Sequence, residues 1–335
     1  MVVILKNNPD EAQLQSLIHW LETKNIQVTQ SLGESNHILG LIGDTSRIDM
    51  DLIGALDIVE SVRRIQEPYK KANRKFHPDD TVISVKGTTI GNGELALIAG
   101  PGAVENEEQM LLIAQEVKAA GATILRGGAF IGRSSPYSFQ GLGKEGLDAL
   151  VKAGDATGMP VISEIMRISQ LDYFKDVDII QVGARNMKNF DLLKELGKSD
   201  KPILLKRGLS ATYEELLMSA EYVMSQGNTN VILCERGIRT FETYTTNTFD
   251  VSTIPVLKSL SHLPVVADPC HASGRSMLVA PLAAASVAAG ADGLMIEVHP
   301  DPSHALSDAK QQISPAAFAE LAETLKTIRN TVKPQ

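Results

Sequence analysis

The first 67 residues alternate between short apolar runs and stretches whose apolar positions recur with helical spacing. VVILK predicts a strand, DEAQLQSLIHWLETKN an amphipathic helix, and IQVTQSL and HILGLIGD two further strands. DMDLIGALD then predicts a second helix, and VESVRRIQE a last strand. The order βαββαβ is that of a ferredoxin-like domain, which we expect over residues 1–67. Because a small domain before a larger one is typically regulatory or assembly-forming, we expect the chemistry to lie further along the chain.

A regular alternation of strands and helices follows a charged segment, PYKKANRKFHPDD, which we interpret as a linker over residues 68–80. TVISVKG and TTIGNG predict a hairpin, and eight apolar runs then alternate with segments of helical period, of which ISQLDYFKDV is the weakest. The predicted strands are LALIAGP, TILRGGAF, MPVISEIM, DIIQVGA, PILLKRG, NVILCERG, PVVADPCH and GLMIEVHP. This alternation over residues 81–335 indicates an α/β fold, a (β/α)8 TIM barrel. The alternative, an open doubly wound sheet, lacks a GxGxxG motif after its first strand.

The composition narrows the class of protein. The chain has 335 residues, of which 43% are hydrophobic and 21% charged, as expected for a globular protein with a large core. A net charge of −8 excludes a general nucleic-acid or anionic membrane surface, but it allows a local cationic pocket. The two cysteines, Cys234 and Cys270, form no disulfide framework. Since the sequence has neither a signal-peptide pattern nor an apolar run near the ~20 residues that span a bilayer, we expect a cytoplasmic protein. We also expect no nucleotide cofactor.

Basic side chains follow four of the predicted strands, at the ends where a barrel of this kind carries its active site. Arg126 ends the second strand, Arg185 follows the fourth, Lys206 and Arg207 end the fifth, and Arg236 ends the sixth. A single cation at such a position is usually solvated or ion-paired. Four strands that end in cations indicate a bound anion, because converging positive charges repel one another unless something neutralises them. Since arginine suits phosphate and carboxylate oxygens, the pattern predicts a small phosphorylated substrate.

Three residues near the last strands carry atoms that bind metals. The seventh predicted strand supplies His271, the eighth supplies Glu297, and Asp308 lies in the loop beyond it. One imidazole and two carboxylates suit Mn, Fe or Zn acting as a Lewis acid. The alternative, that these side chains pair with neighbouring arginines, is equally consistent with the residues alone.

Long motifs surround these strand ends. They are LRGGAF…SSPYSFQGLG, DIIQVGARNMKNF, KPILLKRG, NVILCERGIRTFETYTTNT, ADPCHASGR and ADGLMIEVHPDPSHALSDAKQ. In them the chain resembles the 3-deoxy-D-arabino-heptulosonate 7-phosphate (DAHP) synthases, and the resemblance extends over essentially the whole chain. It is similar to the short bacterial type, which has a ferredoxin-like regulatory domain before the barrel. The resemblance implies condensation of phosphoenolpyruvate (PEP) with erythrose 4-phosphate, the first step of the shikimate pathway to aromatic amino acids.

The resemblance also implies roles for individual residues. The family's PEP site corresponds to Arg126, Ala184, Arg185, Lys206 and Arg236. Its loop for the aldose phosphate corresponds to Arg133 and Ser134, and three of its four metal ligands correspond to His271, Glu297 and Asp308. Catalytic roles fall to Lys206 and His271. The resemblance further implies a homo-oligomer, expected to be a tetramer, whose N-terminal domain responds to tyrosine or phenylalanine.

Four positions depart from the family's motifs. In AGPGAVE, Gly102 replaces the cysteine that is the fourth metal ligand, and in IGRSSP, Ile131 and Gly132 replace the Lys-Pro of KPRTSP. Cys270 stands where the family usually has serine; next to His271 on a predicted strand, it should face away and leave the lost ligand unreplaced. Losing a thiolate weakens a Mn, Fe or Zn site, and losing the lysine forfeits about 1.5–3 kcal/mol of charged hydrogen bonding. Related octulosonate-phosphate synthases include a metal-free branch without this cysteine, so we expect altered metal dependence.

Three functions are consistent with these residues. The first is a DAHP synthase with altered metal dependence. The second is a divergent PEP-dependent synthase or lyase of a specialised pathway, with a different and less polar carbonyl acceptor beside Ile131. The third is a catalytically weakened regulatory subunit that binds a phosphorylated metabolite. All three use the cation set, which the chain retains.

Overall fold

The computed structural model describes residues 1–32, 37–132 and 135–332. The chain divides into two compact units, Met1–Asp80 with Ser259–His262, and Thr81–Lys258 with Leu263–Gln335. The longest helix of the described residues has 17 residues. No described helix is both long and apolar enough to cross a membrane.

The first unit contains a four-stranded antiparallel sheet and two helices. Its strands are β1 (Val2–Leu5), β2 (Gln27–Leu32), β3 (His37–Ile42) and β4 (Val59–Arg63). Helix α1 (Glu11–Thr23) connects β1 to β2, and helix α2 (Met50–Gly54) lies between β3 and β4. The strands are ordered β2-β3-β1-β4. The predicted ferredoxin-like βαββαβ arrangement is therefore confirmed.

The core of this unit forms where α1 packs on the sheet. Leu14, Leu17 and Leu21 are buried and belong to one cluster with Leu39 and Leu41 of β3. Their spacing of three and four residues places the helical leucines on one face, since the helix turns once every 3.6 residues. The periodicity that predicted this helix thus also determines which of its faces is buried.

The second unit is a closed barrel of eight parallel strands, preceded by an antiparallel hairpin. The hairpin strands are β5 (Ile83–Val85) and β6 (Thr88–Ile90). The barrel strands are β7 (Ala96–Gly100), β8 (Ile124–Arg126), β9 (Val161–Ile165), β10 (Ile179–Val182), β11 (Ile203–Lys206), β12 (Val231–Glu235), β13 (Val265–Ala267) and β14 (Gly293–Glu297). The helices are α3 (Glu107–Ala119), α4 (Lys144–Thr157), α5 (Phe190–Leu196), α6 (Tyr213–Ser225), α7 (Thr253–Leu260), α8 (Pro269–Ser273), α9 (Ser276–Ala288) and α10 (Pro315–Thr331). Pairing of β14 with β7 closes the barrel and confirms the predicted (β/α)8 fold.

Side chains fill the interior of the barrel. Ile98 and Met295 lie in a buried cluster that also contains Ala96, the first residue of β7. Ile83 and Ile90 of the hairpin belong to the same cluster. The hairpin therefore closes the N-terminal end of the barrel, and the C-terminal end carries the cavity described below.

Two connections differ from the pattern read in the sequence. The segment after β9 forms a 3-10 helix, Ile168–Phe174, in place of an α-helix. The placement of Cys270 and His271 on the seventh strand is wrong, because β13 ends at Ala267 and both residues lie in α8. Asp268 caps that short helix by accepting a hydrogen bond from the backbone of His271. The alternation of strand residues therefore does not govern where Cys270 faces.

Candidate active site

One cavity lies among the C-terminal ends of the barrel strands. Its polar wall residues are Arg126, Ser163, Glu164, Gln181, Arg185, Arg236, Thr246, His271, Asp308 and Gln311. Its other wall residues are Gly102, Gly127, Gly128, Phe130, Ile131, Gly132, Ile162, Ala184 and Leu209. Of the predicted site residues that the structure describes, Lys206, Arg207, Glu297 and Cys270 are absent from this wall. The predicted Arg133 and Ser134 lie outside the described residues.

Arg126 and Glu297 form a buried ion pair at the base of the cavity. Nη1 of Arg126 donates to Oε1 of Glu297 over 2.6 Å, and the side chains are 7% and 1% exposed. Gln311 donates to the other oxygen of Glu297 over 2.6 Å. Burial opposes the charge on Arg126, but the carboxylates of Glu297 and Asp268 outweigh it and raise the pKa of the guanidinium. Arg126 is therefore a charged group whose place at the cavity is fixed.

The approach of two strands places Arg126 there. Gly100 ends β7 with φ +148°, and a Cβ on it would lie 2.1 Å from the carbonyl oxygen of Arg126. Only a residue without a side chain permits so close a backbone approach at that φ. The glycine thus lets the ends of β7 and β8 meet beneath the cavity.

Lys206 lies beneath the cavity wall, in contact with Asp268. Its Nζ donates to Oδ2 of Asp268 over 2.5 Å, and Nδ1 of His271 lies 2.8 Å from the same oxygen. Burial by itself would raise the pKa of the Asp268 carboxyl, but His271 and Lys206 hold it well below its usual range. The predicted anion-binding lysine and the predicted metal-ligating histidine therefore share one buried carboxylate.

The three predicted metal ligands come together. His271, Glu297 and Asp308 each offer a ligand atom, and these atoms lie within 4.8 Å of one another. Nε2 of His271 is 3.6 Å from Oε1 of Glu297, and its other ring nitrogen faces Asp268. Asp308 has φ +52°, in the left-handed region that aspartate tolerates better than most residues. One imidazole nitrogen and two carboxylates at this separation fit a divalent cation.

Gly102 borders this cluster without contributing a ligand. A Cβ built on it would lie 3.1 Å from Oε1 of Glu297 and 3.3 Å from Nε2 of Gln312. Its backbone N–H donates to the side chain of Gln312 over 3.2 Å. A side chain at position 102 would therefore point at the carboxylate of Glu297, and glycine places no donor atom in that direction.

Cys270 does not take the place of the missing side chain. It is fully buried, and its Sγ accepts a hydrogen bond from the backbone N–H of Glu297 over 3.3 Å. Burial raises the pKa of its thiol well above the usual range, which disfavours a metal-binding thiolate. Neither Cys270 nor Cys234, both of which the structure describes, belongs to the donor cluster.

The remaining predicted cations in the described part of the chain, Arg185 and Arg236, line the same cavity. Arg185 is in a 3-10 turn that begins at Ala184, and it donates to the carbonyl of Gly132 over 3.4 Å. Arg236 follows β12 and donates to the backbone carbonyl of His271 over 3.2 Å. Burial lowers the pKa of the Arg236 guanidinium. Ile131 lines the same cavity and places an apolar side chain among these charges.

Five polar wall residues were not identified from the sequence, namely Ser163, Glu164, Gln181, Thr246 and Gln311. Glu164 in β9 and Gln181 in β10 both line the cavity, and Gln181 donates to Glu164 over 2.8 Å. A polar residue inside a buried parallel strand is a signal in itself, since such strands are typically continuous apolar runs. DIIQVGA carries that signal at Gln181.

Arg207 belongs to an ion-pair network and not to the cavity. Its Nη1 lies 2.9 Å from carboxylate oxygens of both Glu235 and Asp250 and 2.8 Å from the hydroxyl of Thr253. Arg207 is absent from the cavity wall. The interpretation of a strand-end cation as an ion-pair partner is therefore correct for this residue.

Comparison with known proteins assigns both parts of the chain. Residues 79–334 match the DAHP synthetase I family, and residues 1–67 match the DAHP synthase ferredoxin-like domain. A crystal structure of phospho-2-dehydro-3-deoxyheptonate aldolase (DAHP synthase) from Thermotoga maritima is similar, with a TM-score of 0.79 and 45% identity. The match covers 100% of this chain and 99% of that one. A truncated form of the Thermotoga maritima enzyme gives a TM-score of 0.73 over 79% of this chain and 98% of its own.

Proteins that are similar in sequence indicate the same family as the similar structures. Phospho-2-dehydro-3-deoxyheptonate aldolase of Thermotoga maritima is 45% identical over 333 residues, covering 99% of this chain and 98% of that protein. A 2-dehydro-3-deoxyphosphooctonate aldolase of Syntrophotalea carbinolica is 36% identical over 266 residues, covering 74% of this chain and 94% of its own. From the family match, the relatives and the shared fold it follows that the chain belongs to the DAHP synthetase I family.

Proposed function

We propose that the protein condenses PEP with erythrose 4-phosphate and water to give DAHP and inorganic phosphate. The observation that carries the proposal is a single cavity lined by Arg126, Arg185 and Arg236 together with His271 and Asp308, two of the three predicted metal ligands. Such a wall combines groups for a multiply charged anion with groups for a Lewis acid. Membership of the family and 45% identity over 99% of the chain support the same reaction.

The chain's cations bind and orient PEP. Arg185 and Arg236, with the backbone at Ala184, bind the phosphate, while Arg126 and the nearby Lys206 neutralise the carboxylate. C3 of PEP then attacks the aldehyde carbon, water adds at C2, and the C–O bond to phosphate breaks. Fixed guanidinium groups stabilise the charge that develops on the leaving phosphate without having to reorganise. Arg133 and Ser134 are assigned to the phosphate of the aldose.

A divalent metal, which this family generally uses, fits the donor set of His271, Glu297 and Asp308. When bound, it supplies Lewis-acid polarisation of the aldehyde. His271 presents one ring nitrogen to this site and turns the other toward Asp268. We assign Mn, Fe or Zn to the site, held by three protein donors. Gly102 makes this binding weaker than a site with an additional thiolate.

The two other functions considered are not favoured. A different carbonyl acceptor and a purely regulatory subunit were both motivated by Gly102 and Ile131. The 45% identity over 99% of the chain and the retained cation cluster outweigh these two positions.

Measuring turnover tests the proposal directly. PEP consumption and DAHP formation are followed with purified protein and erythrose 4-phosphate, once with added Mn²⁺ and once with EDTA. Turnover that EDTA abolishes supports the function with its metal, and turnover that persists in EDTA supports a metal-independent synthase. PEP binding without any DAHP formation under either condition contradicts the proposal.

For the chain as a whole we propose a cytoplasmic homotetramer, with residues 1–67 regulatory, 68–80 a linker and 81–335 catalytic. The match of residues 1–67 to the DAHP synthase ferredoxin-like domain supports a regulatory role. Tyrosine or phenylalanine is the proposed effector. Light scattering coupled to size exclusion measures the assembly, and inhibition of turnover by either amino acid measures the effector.

A further inference from the structure

One buried carboxylate connects two groups of the site that have different partners. Oδ2 of Asp268 accepts from Lys206 over 2.5 Å and lies 2.8 Å from Nδ1 of His271. Oδ1 accepts instead from the backbone N–H of His271 over 3.0 Å and so caps α8. Asp268 is fully buried, and Lys206 is 3% exposed. Oδ1 therefore caps the helix, whereas Oδ2 is shared between Lys206 and His271.

The contact between Oδ2 of Asp268 and Nδ1 of His271 determines which ring nitrogen of His271 faces the predicted metal site. With Nδ1 toward Asp268, Nε2 of His271 faces Glu297 in the donor cluster. A carboxylate behind a ligating imidazole fixes the orientation of the ring and makes the metal-facing nitrogen more basic. A second positively charged group at Oδ2 weakens the influence of the carboxylate on the imidazole, because it attracts part of the negative charge on that oxygen.

Lys206 is such a group. Its ammonium is buried against the same oxygen and is absent from the described cavity wall. Nδ1 of His271 lies close to Oδ2 without completing a hydrogen bond to it, whereas the ammonium of Lys206 does hydrogen-bond to that oxygen. The ammonium therefore draws part of the negative charge that Oδ2 would otherwise direct at the imidazole. An anionic ligand that draws the ammonium away would leave Oδ2 to His271.

We propose that Asp268 is a positioning residue whose Oδ2 is shared between Lys206 and His271, so that Lys206 controls how strongly His271 binds a metal. This inference rests on the proposed function for the identity of the metal site. It makes binding of an anion at Lys206 and binding of a metal at His271 mutually reinforcing, because the first frees the carboxylate for the second.

Mn²⁺ affinity, measured by titration calorimetry without substrate, tests the proposal by the direction of change. Asp268→Asn keeps an oxygen to cap α8 but places an NH₂ group against Lys206 and His271, so Mn²⁺ should bind about 10–100-fold more weakly. Lys206→Met should bind Mn²⁺ more tightly, by roughly threefold or more, since Oδ2 then serves His271 alone. A purely structural role would shift both variants in the same direction.

The double variant separates contact through Asp268 from simple charge repulsion. If Lys206 acts through Asp268, adding Lys206→Met to Asp268→Asn changes Mn²⁺ affinity no further. If removing the lysine tightens binding equally in both backgrounds, the ammonium merely repels the metal and the proposal fails. Should Asp268→Asn not fold, Lys206→Met can still overturn the proposal, since unchanged or weaker Mn²⁺ binding in that variant contradicts it.

A matched pair at the other end of the barrel is the control. Asp292 precedes β14, is 3% exposed and lies 2.7 Å from Lys258. Asp292→Asn and Lys258→Met should leave Mn²⁺ affinity unchanged.

Equal affinities for wild type, Asp268→Asn and Lys206→Met, or no Mn²⁺ binding to the wild type, would overturn the proposal. Because no turnover is involved, absence of DAHP formation would count against the proposed function and not against this result.

Discussion

At the scale of single residues, Gly102 determines which donor atoms the proposed metal site contains. The side chain of Gly102→Cys would begin 3.1 Å from Oε1 of Glu297 and would add a soft donor to a nitrogen–oxygen set. We expect its affinity for Zn²⁺ and Cd²⁺ to rise at least about tenfold over wild type, with a thiolate-to-metal absorption band for Co²⁺ or Cd²⁺. Competition with a chromophoric chelator measures the affinity.

Gly102→Ala is the control, since it introduces the same Cβ contact without sulfur. An increase shared by the alanine variant would mean that packing against Glu297, and not the thiolate, strengthens the site. Absence of the absorption band in Gly102→Cys would show that position 102 does not reach the ion.

Ile131 makes the cavity wall less polar beside the arginines that we propose bind PEP. Its side chain lines the same wall as Arg185 and Arg236. Ile131→Lys adds a cation there, and we expect kcat/KM for PEP to rise about tenfold or more, equivalent to a charged hydrogen bond of about 1.5–3 kcal/mol. Ile131→Met matches the length without the charge. Equal kcat/KM in the two variants would show that charge at this position does not contact PEP.

At the scale of elements, the strand–helix alternation predicted where the site lies because parallel barrel strands all end at one face. This shared face brings together Arg126 and Glu297, which are 171 residues apart in sequence. The strand pattern could not show that they form an ion pair, since pairing depends on side-chain directions across the barrel. Nor could it show that α8 begins directly after Asp268, because five residues are too few for a helical period to appear.

Two neighbouring residues at the end of β11 have different partners, which the sequence alone could not predict. Lys206 contacts Asp268, whereas Arg207 turns to Glu235 and Asp250. Opposite faces are expected of consecutive residues in a strand, so only one of the two could face the substrate. The sequence identified both as candidate cations, and three-dimensional contacts separated them.

Arg207 should contribute stability by linking three elements. It joins β11 to Glu235 at the end of β12 and to Thr253 at the start of α7. Arg207→Met leaves the fully buried Glu235 without its counter-charge, and we expect a loss of about 3–5 kcal/mol in the free energy of unfolding. Urea denaturation followed by far-UV circular dichroism measures the loss. Lys144→Met, which breaks an exposed ion pair on α4, is the control and should cost far less.

At the scale of the whole molecule, the two units can be observed separately. The chain has one tryptophan, Trp20, which lies in α1 of the first unit. His262 also belongs to that unit. Its ring stacks on His77 with centroids 4.3 Å apart, and its Nε2 lies 2.7 Å from the carbonyl of Lys71. Tryptophan fluorescence therefore reports unfolding of the unit that contains this histidine.

His262 should make the first unit sensitive to acid. Burial lowers the pKa of His262 from 6.5 to about 4, so the unfolded chain takes up a proton that the folded chain refuses. The contribution of neutral His262 to the free energy of unfolding is fully present above pH 6.5. It decreases by at most about 3 kcal/mol as the pH drops toward 4. We expect the Trp20 unfolding transition in urea to shift less between pH 7 and pH 4.5 in His262→Gln than in wild type. His19→Gln, which removes an exposed histidine of α1, should retain the wild-type shift. If His262→Gln retains it too, His262 binds its proton equally well in both states, and the acid sensitivity of this unit arises elsewhere.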